Sequence, residues 1–490
     1  MVFNMRSSAR SPPLVATCGA ACAAAGGARG QNFHSIDYKL LGGKHLVFIS
    51  AQIDNNMGAV EIVDEAIIAL LTPTRQAPGF VKTDDAHHAD PPPRGRELRV
   101  NNLTDIWGSN WTDLCGMKAG KLISGVRGPE LVKTPNKLLL FGQCRRADMS
   151  GADSHLVGSS LGDDMLHDRI VTISSTDFGL SWGDARFISE KATGMGVGIY
   201  NRDTKTVVYQ YHSFTEMVTT TGNRLLQRTS TDEGTSWSSE RDITHFVEAC
   251  NSGPGGQVVG GAGSRLQTSS GRLIFSGHTN GHTVPPGGIC VWYSDDGGLT
   301  YNVSASGVFV GNENSIAELS NGSLVMNGRG YLNKWKGHRT SYWSHDDGTQ
   351  WSAGTELAGI REPTSAGCEG ALLAVPSTDR RSSASLPRLF FSEPSGYRTD
   401  GVRTGSDRIS LRVWCSIDGG RSYPTYTAIN TGDGAGYSAL EYATQASGEP
   451  MLVIVWEGSY GPQGTSEPPY GNVSQGTMWA LRLGVDWCGR

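Results

Sequence analysis

Ser175-Thr176-Asp177-Phe178-Gly179-Leu180-Ser181-Trp182 is written four more times along the chain, at 230–237, 294–301, 344–351 and 416–423. Each copy has the form Ser-x-Asp-x-Gly-x-x-aromatic. In such a stretch the Asp side chain can accept from backbone amides of its own turn, the Gly supplies φ > 0, and the aromatic packs beneath, which is the chemistry of a hairpin tip. One copy would carry little weight. Five copies, with Ser-to-Ser intervals of 55, 64, 50 and 72 residues, predict a repeated β unit with the period of a propeller blade. The text between the copies agrees. Short apolar runs such as Leu138-Leu139-Leu140-Phe141, Leu273-Ile274-Phe275 and Leu324-Val325-Met326 alternate with polar turns, and no helical periodicity interrupts them.

The expectation is therefore an all-β, six-bladed propeller over residues 113–490, with five blades bearing the turn motif and one lacking it. Length supports this, since one propeller can occupy several hundred of the 490 residues. A formal charge of −5 with both signs mixed offers no basic field for nucleic acid. No apolar run reaches the roughly 18 residues of a membrane span, so stable membrane insertion is not expected. The nine cysteines show no zinc spacing, so neither metal nor other cofactor is expected. Their scatter suits buried thiols or a few disulfides equally.

Residues 1–35 join Arg6 and Arg10 to an Ala-rich run, which reads either as a targeting signal or as a disordered tail. Residues 36–112 form an N-terminal extension in which two apolar runs between His45 and Thr72 suggest a strand followed by a strand or short helix. Sequons at Asn102, Asn110, Asn302, Asn321 and Asn472 suit a secreted, lysosomal or other endomembrane protein, with the cytoplasm as the alternative.

The turn motif resembles the Asp box of sialidases, and several stretches are similar to the sites of that family. Arg127-Gly128-Pro129 resembles the Arg-Ile-Pro that supplies the first of three arginines, with Gly in place of the Ile. Asp164 lies 13 residues before Asp177, a spacing similar to that of the acid/base aspartate, with Asp163 as its competitor. The stretch Asn312-Glu313-Asn314-Ser315, followed by Glu318-Leu319, Gly322-Ser323-Leu324 and Asn327-Gly328-Arg329, resembles the segment holding the catalytic Glu and the second arginine. That places these roles on Glu313 and Arg329. Arg408, eight residues before Ser416, matches the third arginine. Arg412 is its rival, because an even separation on one strand leaves both on the same face. Gly436-Tyr437-Ser438 looks like the Tyr-Ser motif of the nucleophile, and Val455-Trp456-Glu457 like the strand end whose Glu braces the first arginine.

The set makes chemical sense for one substrate class. A sialic acid carries a carboxylate on its anomeric carbon, which asks for planar, bidentate cations such as Arg127, Arg329 and Arg408. That carboxylate repels an attacking Asp or Glu, whereas a neutral Tyr hydroxyl avoids the repulsion. Tyr437 would need a base, the role that falls to Glu313, and Asp164 would protonate the leaving oxygen and then activate water. The resemblance thus implies an exo-alpha-sialidase that releases terminal sialic acid, or a related nonulosonic acid, from glycoproteins, glycolipids or oligosaccharides, with retention through a tyrosyl intermediate. A silent sugar- or protein-binding propeller is the first alternative, and it would have dispensed with Tyr437, Glu313 or an arginine. A trans-sialidase or another glycosidase on the same scaffold is the second.

Overall fold

The computed structural model describes residues 2–3, 33–41, 44–53, 56–62, 95–97, 104–105, 126–144, 169–183, 185–189, 193–213, 224–250, 258–279, 288–330, 337–363, 367–375, 387–397, 408–429, 434–444, 450–458 and 477–488. The chain divides into two units, 1–91 and 92–490. The first holds one four-stranded sheet in the order Val2–Phe3, Asn56–Ile62, Lys44–Ile53, Phe33–Leu41. Both apolar runs after His45 are therefore strands over their described parts.

The second unit is a six-bladed β-propeller. Its six sheets begin with the strands Val126–Lys133, Thr193–Asn201, Val258–Gln267, Asn314–Glu318, Ala371–Val375 and Ala435–Thr444, and each sheet continues outward by antiparallel pairing. We number the blades 1 to 6 in this order. The first strands touch their neighbours in sequence, and that of blade 6 touches that of blade 1, which closes the ring.

What holds the ring together is apolar packing between blades. Six buried clusters each draw residues from two adjacent blades, so every blade is buried on both faces. This explains the apolar runs of the second strands, such as 138–141 and 273–275. In blade 1, Leu138 and Leu140 point toward blade 6, while Leu139 and Phe141 point toward blade 2, where Phe141 stacks on Tyr209 at 4.2 Å between ring centroids. Two disulfides cross such boundaries, Cys250–Cys290 between blades 2 and 3 and Cys415–Cys488 between blades 5 and 6. Cys144 is also disulfide-bonded, and Cys368 is a buried free thiol.

All five turn motifs lie where the third strand of blades 1 to 5 ends. In the first, Leu180 and Ser181 donate backbone N–H to Asp177 Oδ1 at 3.1 and 2.8 Å, and Gly179 donates to Ser175 Oγ at 2.7 Å. The glycines Gly179, Gly234, Gly298, Gly348 and Gly420 all have φ between 80° and 98°. Blade 6 has no motif because it has no hairpin there to cap. Its third strand, Thr477–Gly484, pairs instead with Thr104–Asp105 from far up the chain. A second early strand, Gly95–Glu97, adds in parallel to the edge of blade 5. Both strands belong to the second unit, which begins at residue 92. Strands of two and three residues carry no alternation that a sequence pattern could reveal.

Candidate active site

Of the expected site residues, Arg127, Glu313, Arg329, Arg408, Tyr437 and Glu457 gather where the first strands begin. Two of those strands are bulged there. Blade 1 slips register between Arg127 and Glu130, and blade 6 between Ala435 and Ser438. A bulge re-aims side chains and releases backbone groups from the ladder. Here carboxylates take the backbone amides within and beside the bulges. Gly128 N–H donates to Glu457 Oε1 at 2.8 Å, Tyr437 N–H to Glu457 Oε2 at 3.2 Å, and Ser438 N–H to Glu369 Oε2 at 3.0 Å. Arg127 also donates to both oxygens of Glu457, from Nε at 3.3 Å and from Nη2 at 3.2 Å. One buried glutamate thus fixes the first arginine and the backbone of the tyrosine together.

Gly128 stands where the resembling motif has Ile, and the structure supplies the reason. Its φ is +62°, and a Cβ there would lie 2.1 Å from Met195 Sδ. Met195, from the first strand of blade 2, fills the space that a side chain at 128 would take.

Tyr437, 8 % exposed, donates its hydroxyl hydrogen to Glu313 Oε1. Arg329 Nη1 donates to Glu313 Oε2 and lies 3.3 Å from the Tyr437 hydroxyl oxygen. The guanidinium carbons of Arg127 and Arg408 lie 5.6 and 5.5 Å from the Tyr437 ring centroid. Three arginines from three blades therefore surround one tyrosine. Arg408 is further held by Gly367 O, to which its Nη2 donates at 2.9 Å. The rivalry with Arg412 is resolved by the backbone. Ser410 has φ +60° and breaks the strand, which begins only at Leu411, so even spacing no longer implies a common face. Arg412 stacks instead between Tyr397 and Tyr426, at 4.4 and 4.2 Å. Asp164 and its competitor Asp163 lie outside the described residues.

The electrostatics follow from burial and charge. Burial pushes the Tyr437 phenol well above its ordinary range, Glu313 adds to this, and the three arginines oppose it without prevailing. The resting tyrosine is protonated. For Glu313, burial raises and Arg329, His278, Tyr437 and Arg408 together lower, with a net depression that keeps it ionised. A neutral hydroxyl thus faces a carboxylate able to take its proton.

Four supporting residues escaped the sequence reading. Arg339 is fully buried and donates to Asn327 Oδ1 at 2.6 Å, Glu362 Oε1 at 3.3 Å, Glu393 Oε2 at 3.1 Å and Cys368 O at 2.9 Å. Glu362 in turn accepts from Gly330 N–H at 2.6 Å, which fixes the backbone just after Arg329. The signal was the charge itself: Arg339 and Glu393 sit on strands otherwise buried, where a charge needs a partner. His278 is the fourth, buried beside Glu313 and Arg329, its pKa lowered by burial. A cavity of about 700 Å³ opens toward the opposite ends of the same first strands, lined by Lys133, Arg265, Glu318 and Glu441 among others. Its charges are committed locally, as in Arg265 to Glu130 at 2.6 Å, so it does not compete with the cluster at Tyr437.

A tyrosine bonded to a glutamate and ringed by three arginines, at the mouth of an Asp-box propeller, defines a sialidase-like scaffold. Residues 163–449 match the model of the BNR repeat-like domain family, and the chain belongs to that family. Among solved structures it is similar to the Hadza microbial sialidase Hz136, at 20% identity and a TM-score of 0.55, covering 74% of this chain and 66% of that one, just under two thirds of its length. It is also similar to the leech intramolecular trans-sialidase complexed with 2,7-anhydro-Neu5Ac, at 15% identity and a TM-score of 0.53, covering 75% and 69%. A third likeness is to the intramolecular trans-sialidase from Ruminococcus gnavus in complex with oseltamivir carboxylate, at 15% identity and a TM-score of 0.51, covering 78% and 98%. At these identities the likeness is one of fold.

Proposed function

We propose that the protein is an exo-alpha-sialidase acting with retention on terminal sialic acid, or a related nonulosonic acid, of glycoconjugates. The observation that carries this reading is the Tyr437–Glu313 hydrogen bond inside the triangle of Arg127, Arg329 and Arg408. The guanidiniums hold the substrate carboxylate by charge and bidentate geometry. Glu313 takes the phenolic proton as Tyr437 oxygen bonds the anomeric carbon, while the glycosidic C–O bond breaks and Asp164 protonates the departing oxygen. Water then attacks the same carbon, giving its proton to Asp164 and releasing tyrosine, which recovers its proton from Glu313. A second anionic side chain in place of Tyr437 would meet the substrate carboxylate with like charge. The Cys250–Cys290 and Cys415–Cys488 disulfides support a secreted or endomembrane location.

A fluorogenic sialoside, incubated with and without lactose, tests the reading. Release of fluorophore and free sialic acid is expected. Sialyl-lactose would assign transfer instead, and no release with retained sialic acid binding would assign a binding propeller.

A further inference from the structure

Five glutamates lie buried around this site, and four of them are ion-paired: Glu313 with Arg329, Glu457 with Arg127, and Glu362 and Glu393 with Arg339. The fifth is Glu369, 8 % exposed, at the start of blade 5. Among the described residues it has no ion-pair partner, and its one hydrogen bond there is accepted from Ser438 N–H. That bond matters because of where it falls. The bulge between Ala435 and Ser438 takes Gly436 and Tyr437 out of the ladder, which resumes at Ser438 opposite Trp456, and two carboxylates take the amides at this junction, Glu457 that of Tyr437 and Glu369 that of Ser438.

We infer that Glu369 is a positioning residue for the reaction proposed above, its buried carboxyl fixing the Tyr437–Ser438 backbone through the Ser438 amide. It rests on that functional reading, on the burial of Glu369 and on its bond to the Ser438 amide. The groups facing Glu369 are Glu313 from blade 4, Arg339 from the third strand of blade 4, Glu130 from blade 1 and the Ser438 amide from blade 6. Burial dominates, Glu313 and Glu130 repel the ionised form, and the Ser438 amide and Arg339 favour it less strongly, so the carboxyl titrates well above its ordinary range. An ionised Glu369 would set a further negative charge beside Glu313 and near the arginines, opposing entry of an anionic substrate. Neutrality therefore serves the chemistry as well as the burial.

The sign of the stability effect is fixed. A carboxyl protonated in the folded protein but ionised in the unfolded chain makes folding less favourable as pH rises above the unfolded value. The test compares wild type, E369Q and E369A in full-length protein. Gln keeps the acceptor for Ser438 and cannot ionise. The melting temperature of E369Q minus that of wild type is expected to grow by roughly 2 °C per pH unit from pH 5 to 8; a difference independent of pH overturns the neutral acid. With the fluorogenic sialoside at pH 5, E369A is expected to lose on the order of tenfold to a hundredfold in kcat with KM little changed, and E369Q to recover to within about fivefold of wild type. Equal kcat for E369A and wild type overturns the positioning role. If wild type itself releases no sialic acid, the functional reading fails, and the melting comparison still decides the state of Glu369.

Discussion

Gly128 and Met195 share one volume: a Cβ on the first would stand 2.1 Å from the sulfur of the second. The loop that carries Arg127 is thereby matched to a residue from the next blade.

Gly128→Ala meets two obstacles, the sulfur and the left-handed backbone. The thioether is flexible and can give way, whereas φ +62° stays unfavourable for any Cβ, at about 1–2 kcal/mol. Denaturant melts are expected to show that loss, and Met195→Ala in the same chain to relieve only a small part of it. Full rescue by Met195→Ala would locate the strain in the side-chain clash.

In the proposed mechanism Tyr437→Phe removes the nucleophile, and Glu313→Gln its base. Losses of roughly 10²–10⁴ in kcat are expected for Glu313→Gln, and larger ones for Tyr437→Phe, with cooperative unfolding retained. Asp164→Ala is expected to slow substrates with poor leaving groups far more than an activated aryl sialoside. Equal slowing of both substrates would remove Asp164 from the acid role.

Arg408→Lys and Arg412→Lys separate two arginines that spacing alone left equivalent. The first should raise KM or weaken binding of free sialic acid about tenfold or more, since the planar fork is lost. The second should leave binding intact and lower stability by about 1 kcal/mol through lost stacking between Tyr397 and Tyr426. Binding isotherms and melts of both variants decide the matter.

Glu313 and Glu369 should respond to acid with opposite signs. The folded protein holds Glu313 below its ordinary range, so its ionisation contributes stability that is present above the unfolded value and lost as pH falls through the folded one. Wild type should therefore lose melting temperature faster than Glu313→Gln between pH 5 and 3. Parallel curves would deny the depression.

Arg339→Met leaves Glu362 and Glu393 buried without their cation, at about 3–5 kcal/mol. Because Glu362 also holds the Gly330 amide, a raised KM should accompany the lost stability, read from the same preparation.

Much of this was written in the chain. The repeated Ser-x-Asp-x-Gly turns displayed the blades because each turn satisfies its own amides within eight residues. Arg127, Glu313, Arg329 and Tyr437, which the fold brings together, could be singled out because each sits in a local motif. The choice between Arg408 and Arg412 was not legible, since it hung on the conformation of Ser410, and parity arguments assume an unbroken strand. Nor were Glu369 and Arg339, whose partners lie 69 and 54 residues away in other blades. Glycine at 128 read as a weakened match, whereas the structure gives it a positive φ with Met195 set against it.

The pairing of Thr104–Asp105 with Thr477–Gly484 sets a timetable for biosynthesis. A ribosome delivers the early strand hundreds of residues before its mate, so the toroid cannot shut until the late one has emerged. Through that interval the growing protein carries open sheet edges, which invite association with other chains. Chaperone demand during translation, and tolerance of fusions near residue 104, are thus consequences of where the ring is fastened.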